Sequence, residues 1–355
     1  MLKKFLVRFV LFFLLVFVIF EIGSRTFLDE YYNSRLDIYS EVNNSDTISY
    51  IFIGSSRTAV SIIPEVFTKN PHKIAVNAGR GYATMQVHFR SLKHLLMRNP
   101  DALNNCTVFI EAPMGICPTE DGRDWVEDNN PHLLIPYMNR KALFEFLNSA
   151  DETFNTKLHV VLLYSFASWR DCFFVREIVD VWINYHLEKN NSKIMLKRAA
   201  AQGDADMLAK GGVKLDPISV KIARKFARDI VPRRISKQTP LHINDLESSV
   251  LNKINRLVTD AGGQICLFDT PLSTVIQEIY ETDIAQNNIT VFNQWIEMNN
   301  IPLIRAPFSS VDEDFPDLFH LRASRAEEYT DSLLLAYKIL NGHSTSHEIP
   351  QLFDD

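Results

Sequence analysis

The chain has 355 residues, of which 46% are hydrophobic and 23% charged, enough apolar content for a sizeable core in one large domain or two modest ones. That balance excludes a fibrous or disordered protein. A formal net charge of -6 gives no global attraction to nucleic acid, which is therefore not an expected partner.

Met1-Leu2-Lys3-Lys4 precede an apolar run from Phe5 to Ile22, broken only by Arg8 and Glu21. A membrane-spanning helix takes roughly 17 to 25 such residues, so residues 1–22 are expected to form a transmembrane signal anchor. Lys3, Lys4 and Arg8 would keep the N-terminus inside and send the rest across the cytoplasmic (inner) membrane as a single-pass, extracytoplasmic protein. A cleaved signal peptide is the competing reading, but the run is rich in Phe, Leu and Val and no Ala-x-Ala site follows it. Residues 23–46 read as a polar juxtamembrane connector.

Strand-like apolar runs then appear at Ser49 to Ile53, Lys73 to Val76, Thr107 to Ile110, Gln264 to Phe268 and Pro302 to Ile304. Segments of helical period lie between them, among them Met85 to Met97, Leu246 to Val258, Val275 to Tyr280 and Ala323 to Ile339. This alternation predicts an α/β domain over residues 47–342, a flavodoxin-like three-layer sandwich around a parallel sheet of about five strands. Residues 118–242 interrupt it with a long, mostly helical insertion, expected as a cap over the sheet's carboxyl edge. There Ile218, Ile222, Phe226 and Ile230 recur every four residues as an apolar stripe. Lys221, Arg224, Lys225 and Arg228 point elsewhere, and Arg233, Arg234 and Lys237 follow. They form a solvated basic face, or a rim for an anionic glycan or phospholipid surface. Residues 343–355 read as a disordered tail.

Cys106, Cys117, Cys172 and Cys266 show no Cys-x-x-Cys and no His at metal-ligand spacing. No metal or organic cofactor is expected.

Two segments carry chemistry. Ile51-Phe52-Ile53-Gly54-Ser55-Ser56-Arg57 is an apolar strand that breaks at a Gly and delivers a hydroxyl at its carboxyl end, as open α/β sheets present a nucleophile. Asp317-Leu318-Phe319-His320-Leu321 supplies a base and its orienter from one loop before the last helix. Asp312 and Asp314 are alternative orienters with poorer spacing. Ser56 has a second reading as the N-cap of the following helix. Gly79-Arg80-Gly81-Tyr82-Ala83-Thr84 begins a dinucleotide fingerprint but lacks its third glycine, a weak signal.

These segments resemble the SGNH (GDSL-like) hydrolase superfamily. Gly54 and Ser56 match its first block, with Ser55 where the family has Asp, and Asp317 and His320 match its last. Asn77-Ala78-Gly79-Arg80-Gly81 matches the second block, while the third, Gly-x-Asn-Asp, is replaced by Phe109-Ile110-Glu111-Ala112-Pro113. The resemblance, closest to the membrane-anchored branch associated with envelope-polymer acylation and deacylation, implies the catalytic residues Ser56, His320 and Asp317. It implies an oxyanion hole from the backbone N–H groups of Ser56 and Gly81. Ser55, Arg57, Asn77 and Glu111 are candidate substrate-rim residues. The implied activity is a serine O-acyl esterase or O-acyltransferase on a cell-envelope polysaccharide, with an acylated glycan or acyl donor and a multi-spanning membrane acyltransferase as partners. The alternative is a non-catalytic binding subunit of such an assembly.

Overall fold

The structure, a computed structural model, describes residues 2–23, 39, 42, 47–68, 73–80, 83–113, 137, 140–148, 154–165, 217–236, 238–306 and 308–342. They fall into two compact units: Met1–Asn43 with Asn129–Met195, and Asn44–Asp128 with Leu196–Asp355.

In the first unit the apolar run forms one helix, Leu2–Gly23. Its side chains are described from Arg8 to Ile22, and those of Phe9 to Phe20 are exposed. Among the described residues no helix is long and apolar enough to cross a membrane. Helices Arg140–Asn148 and Phe154–Ser165 belong to this unit and bury Phe146, Val160 and Leu163. Of the expected connector after Gly23, only Tyr39 and Val42 are described, and both are buried.

The second unit is built on five parallel strands in the order β2-β1-β3-β4-β5. They are β1 (Ile48–Ile53), β2 (Ile74–Asn77), β3 (Thr107–Glu111), β4 (Gln264–Phe268) and β5 (Leu303–Ile304). Every residue of β3 is buried, as a parallel strand covered on both faces requires. Register sets Phe52 beside Phe109 and Phe109 beside Cys266, and the Phe52 and Phe109 rings stack at 4.8 Å. That face packs on Phe67, Phe315, and Tyr329 and Leu333 of the final helix, Ala323–Leu340. The other side chains of β1, β3 and β4 alternate to the opposite face, which lies toward helices Met85–Arg98 and Val250–Asp260. The result is a flavodoxin-like three-layer sandwich. Its strand order reverses between β1 and β3, so the crevice beyond their carboxyl ends is where ligands of such sheets bind.

Several elements depart from expectation. The helix expected over Leu246 to Val258 is two, Ile243–Ser248 and Val250–Asp260. Ser249 adopts an extended backbone and its hydroxyl accepts the Asn252 N–H at 3.1 Å, the local competition by which Ser interrupts helices. Val275 to Tyr280 spans the end of a single α-turn, Thr274–Gln277, and a 3-10 turn, Glu278–Tyr280. Helix Asp283–Met298, capped by Thr282, precedes β5.

Of the expected insertion, residues 137, 140–148 and 154–165 fall in the first unit and 217–236 and 238–242 in the second. Its last helix, Pro217–Ile235, buries Ala227 and Val231 and half-buries Ile230. The side chains of Ile218, Ile222 and Phe226 lie outside the described residues, as do Lys237 and residues 343–355. Arg224, expected to point away from the packed side, instead donates from Nη2 to the carbonyls of Asp312 at 2.9 Å and Phe315 at 3.4 Å.

Candidate active site

β1 hands over to helix Ser56–Ser61 through Gly54 and Ser55. A Cβ on Gly54 would lie 2.0 Å from Thr58 Oγ1 and 2.4 Å from Glu111 Oε2, so only glycine fits. Ser55, not Ser56, is the N-cap: its backbone is extended and its Oγ accepts the Arg57 N–H at 3.2 Å. Ser56 is thereby the first helical residue, with its hydroxyl free to face the loop before the last helix. Its Oγ lies 2.7 Å from His320 Nε2, across 264 residues of sequence.

His320 Nδ1 lies 2.6 Å from Asp317 Oδ2, while Asp317 Oδ1 accepts the backbone N–H groups of Phe319 at 3.0 Å and His320 at 2.9 Å. Burial alone would raise the Asp317 carboxyl; the adjacent His320 and these hydrogen bonds outweigh it and hold the group below its ordinary value. An ionised Asp317 fixes the Nδ1–H tautomer, which leaves Nε2 to accept the Ser56 proton. Asp312 and Asp314 are engaged elsewhere: Asp312 accepts from Thr274 N and Oγ1, both at 2.8 Å, and Asp314 from Val311 N at 3.1 Å.

The loop carrying this pair is strained and propped. Leu318 sits at φ 69°, the left-handed region that costs a non-glycine residue roughly 1–2 kcal/mol. Its carbonyl accepts the buried Ser273 hydroxyl at 2.7 Å, and its N–H donates to Phe315 O at 3.3 Å. Arg224 reaches the same Phe315 carbonyl, and the Arg234 guanidinium lies 5.5 Å from the Phe319 ring centre. Phe319 packs on the cluster of Val231, Leu272, Ile276, Ile279 and Tyr280.

All four of the expected rim residues make their contacts inside the protein instead. Glu111, at the end of β3, is buried and accepts from Ser55 N (2.7 Å), Ser55 Oγ (2.9 Å), Arg57 Nε (2.7 Å), Thr58 Oγ1 (2.7 Å) and Thr270 Oγ1 (3.2 Å). Burial would raise its carboxyl, but the Arg57 charge and the Thr58 and Ser55 hydrogen bonds bring it below the ordinary value. Arg57 is itself buried in this ion pair. Asn77 turns its Nδ2 to the carbonyls of Thr58 (3.1 Å) and Ile62 (2.8 Å), latching the Ser56–Ser61 helix to β2. Ser55, half-buried, also points its hydroxyl inward. In each case a polar group near a strand end finds its partners inside the crossover turn rather than in solvent.

Sequence reading missed His88. It is fully buried on helix Met85–Arg98, with Nε2 3.1 Å from Gly54 O, and burial lowers its pKa to about 4. Neutral at pH 7, it donates to the carbonyl that also accepts the Arg80 N–H at 3.0 Å. Its spacing with Met85, Leu92 and Leu95 on the buried stripe was the available signal.

For an oxyanion, the Ser56 N–H meets no acceptor among the described residues. Gly81 lies outside them. The Gly79 N–H is occupied by Asn77 Oδ1 at 2.9 Å. Among the described residues no three His, Cys, Asp or Glu side chains group to hold a metal ion. Cys106 and Cys266 are free thiols, both shifted upward by burial, Cys106 to about 12; Cys117 and Cys172 lie outside the described residues. No protein-family model and no curated protein matches the chain. Ser56 Oγ, His320 and Asp317 Oδ2 stand in one hydrogen-bonded line at the sheet's switch point, an arrangement with the geometry needed to activate a serine hydroxyl.

Proposed function

We propose that this protein is a serine O-acyl esterase or O-acyltransferase of SGNH type, held at the cytoplasmic membrane by its N-terminal helix and acting outside it on an acylated envelope polysaccharide. The observation that carries the reading is the line Ser56 Oγ, His320 Nε2, His320 Nδ1, Asp317 Oδ2, with links of 2.7 and 2.6 Å. Ser56 Oγ attacks the acyl carbonyl carbon while His320 Nε2 takes its proton. The tetrahedral oxyanion is met by the Ser56 N–H and, as the resemblance implies, the Gly81 N–H. His320 then returns the proton to the departing alcohol oxygen, leaving an acyl-serine. Water or a sugar hydroxyl, deprotonated by the same His320, releases the acyl group, giving an esterase in the first case and a transferase in the second. A multi-spanning acyltransferase is the partner such an activity would serve.

A serine-directed phosphonate probe on the detergent-solubilised full chain tests this. Labelling at Ser56, with hydrolysis of an aryl acetate that Ser56→Ala abolishes, is expected. An unlabelled, inactive protein would overturn it in favour of a non-catalytic binding subunit of an envelope-polymer acylation assembly.

A further inference from the structure

We propose that Ser55 and Glu111 act as one positioning unit for the nucleophile, and that the ionised Glu111 carboxylate is the reason position 55 holds a hydroxyl. The inference rests on Ser56 being the nucleophile. Ser56 stands between two residues tied to the same carboxylate: Ser55 N donates to Glu111 Oε2 and Arg57 Nε to Oε1, each at 2.7 Å. The nucleophile's backbone is therefore held from both sides by one buried group.

The Ser55 hydroxyl completes this frame by using both of its capacities. Its proton goes to Glu111, at 2.9 Å from Oε2 and 3.1 Å from Oε1, and its lone pair accepts the Arg57 N–H at 3.2 Å. Alanine does neither. A carboxylate at position 55 could still accept the Arg57 N–H, but it cannot donate, and it would face Glu111 at hydrogen-bond distance, where two like charges cannot both stay ionised. Glu111 has nowhere to retreat. Thr58 Oγ1 holds Oε2 from the helix at 2.7 Å, Thr270 Oγ1 holds Oε1 from beyond β4 at 3.2 Å, and Gly54 leaves no slack beside it. Neither residue touches the Ser56–His320 hydrogen bond; both act through the backbone that aims Ser56 Oγ.

The test compares wild type, Ser55→Ala, Ser55→Asp, Glu111→Gln, Ser55→Ala/Glu111→Gln and Ser55→Asp/Glu111→Gln as full-length proteins. Aryl acetate kinetics, melting and amide hydrogen exchange at residues 55–58 are measured. Ser55→Asp should lower kcat about a hundredfold, the scale of misplacing a reacting group by about 1 Å, with KM moving by less than about twofold. Adding Glu111→Gln should recover at least about tenfold of that loss, because an amide donates to the new carboxylate. Should Ser55→Asp not fold, recovery of folding in that double variant is the same result. Ser55→Ala with Glu111→Gln should lose no more than the worse single change. Multiplicative losses, no recovery in the Asp/Gln variant, or a raised KM at unchanged kcat would each overturn the unit. If wild type neither hydrolyses nor labels at Ser56, the enzyme reading fails, and exchange alone decides the unit: faster at 55–58 in Ser55→Asp and slowed again by Glu111→Gln if it exists, unrestored if it does not.

Discussion

The turn after β1 and the loop before the last helix meet at a single hydrogen bond, yet they are held by different means. The Ser55–Thr58 turn is tied to the sheet by a buried ion pair, with Arg57 and Glu111 side chains only 10% and 4% exposed. The Asp317–His320 loop is tied without an ion pair to the sheet: Asp317 caps its own backbone, Leu318 stays left-handed, Ser273 and Arg224 prop the carbonyls from outside, and Phe319 packs on the Val231–Tyr280 cluster. Stability and chemistry should therefore separate along the chain. The supports of Ser56 belong to the fold, whereas His320 and Asp317 can be altered with the fold intact.

The largest effect expected is on activity. His320→Ala and Ser56→Ala should each lower kcat by at least about 10⁴-fold, and the double variant no further, because triad members act as a unit. Melting should hardly move, which calorimetry checks.

Next comes the contrast between the two carboxylates. Glu111→Ala strands the buried Arg57 charge and should lower stability by roughly 3 to 5 kcal/mol in denaturant titration. Asp317→Asn should cost clearly less in the same titration than Glu111→Ala while kcat collapses. Equal destabilisation by both would break the comparison.

Acid sharpens it. Glu111 and Asp317 are both depressed when folded, so their contributions are present above the unfolded carboxyl range and are lost as pH falls through the folded values. His88 acts higher on the scale. Its pKa is 6.5 free and about 4 folded, so the unfolded chain takes up a proton first and stability falls as pH drops between those values, by roughly 3 kcal/mol. His88→Gln, which keeps a donor toward Gly54 O, should flatten that part of the pH–stability curve. Ser273→Ala is the mildest change, leaving the Leu318 carbonyl without its donor for about 1–3 kcal/mol of stability, with a modest fall in kcat.

Much of this was legible in the residues. The five strands and their parallel order follow from short apolar runs alternating with helical periods, and Ser56, Asp317 and His320 from a Gly-Ser turn and an Asp-x-x-His spacing. Glu111 was misread as a rim residue because β3 is buried along its whole length, which erases the period-2 alternation that says where a strand residue points. Ser55 was misread with it, since only its partner across the sheet explains it. The roles of Arg224 and Ser273 depend on contacts 88 and 45 residues away, and no local pattern encodes such pairings. The break at Ser249 was local, but an amphipathic stripe continues across it and masks the serine's competing hydroxyl.

Arg224 and Val231 bear on how such a protein can be shortened. A parallel crossover needs only about a dozen residues, so most of 118–242 looks dispensable when judged by strand order alone. Yet the last helix of that stretch grips the Asp312 and Phe315 carbonyls and packs in the cluster that receives Phe319. The boundary between scaffold and candidate site does not follow the boundary between core and insertion, and a miniature that kept all five strands but discarded residues 217–235 would keep Ser56 and lose the outer wall that holds the Asp317–His320 loop in register.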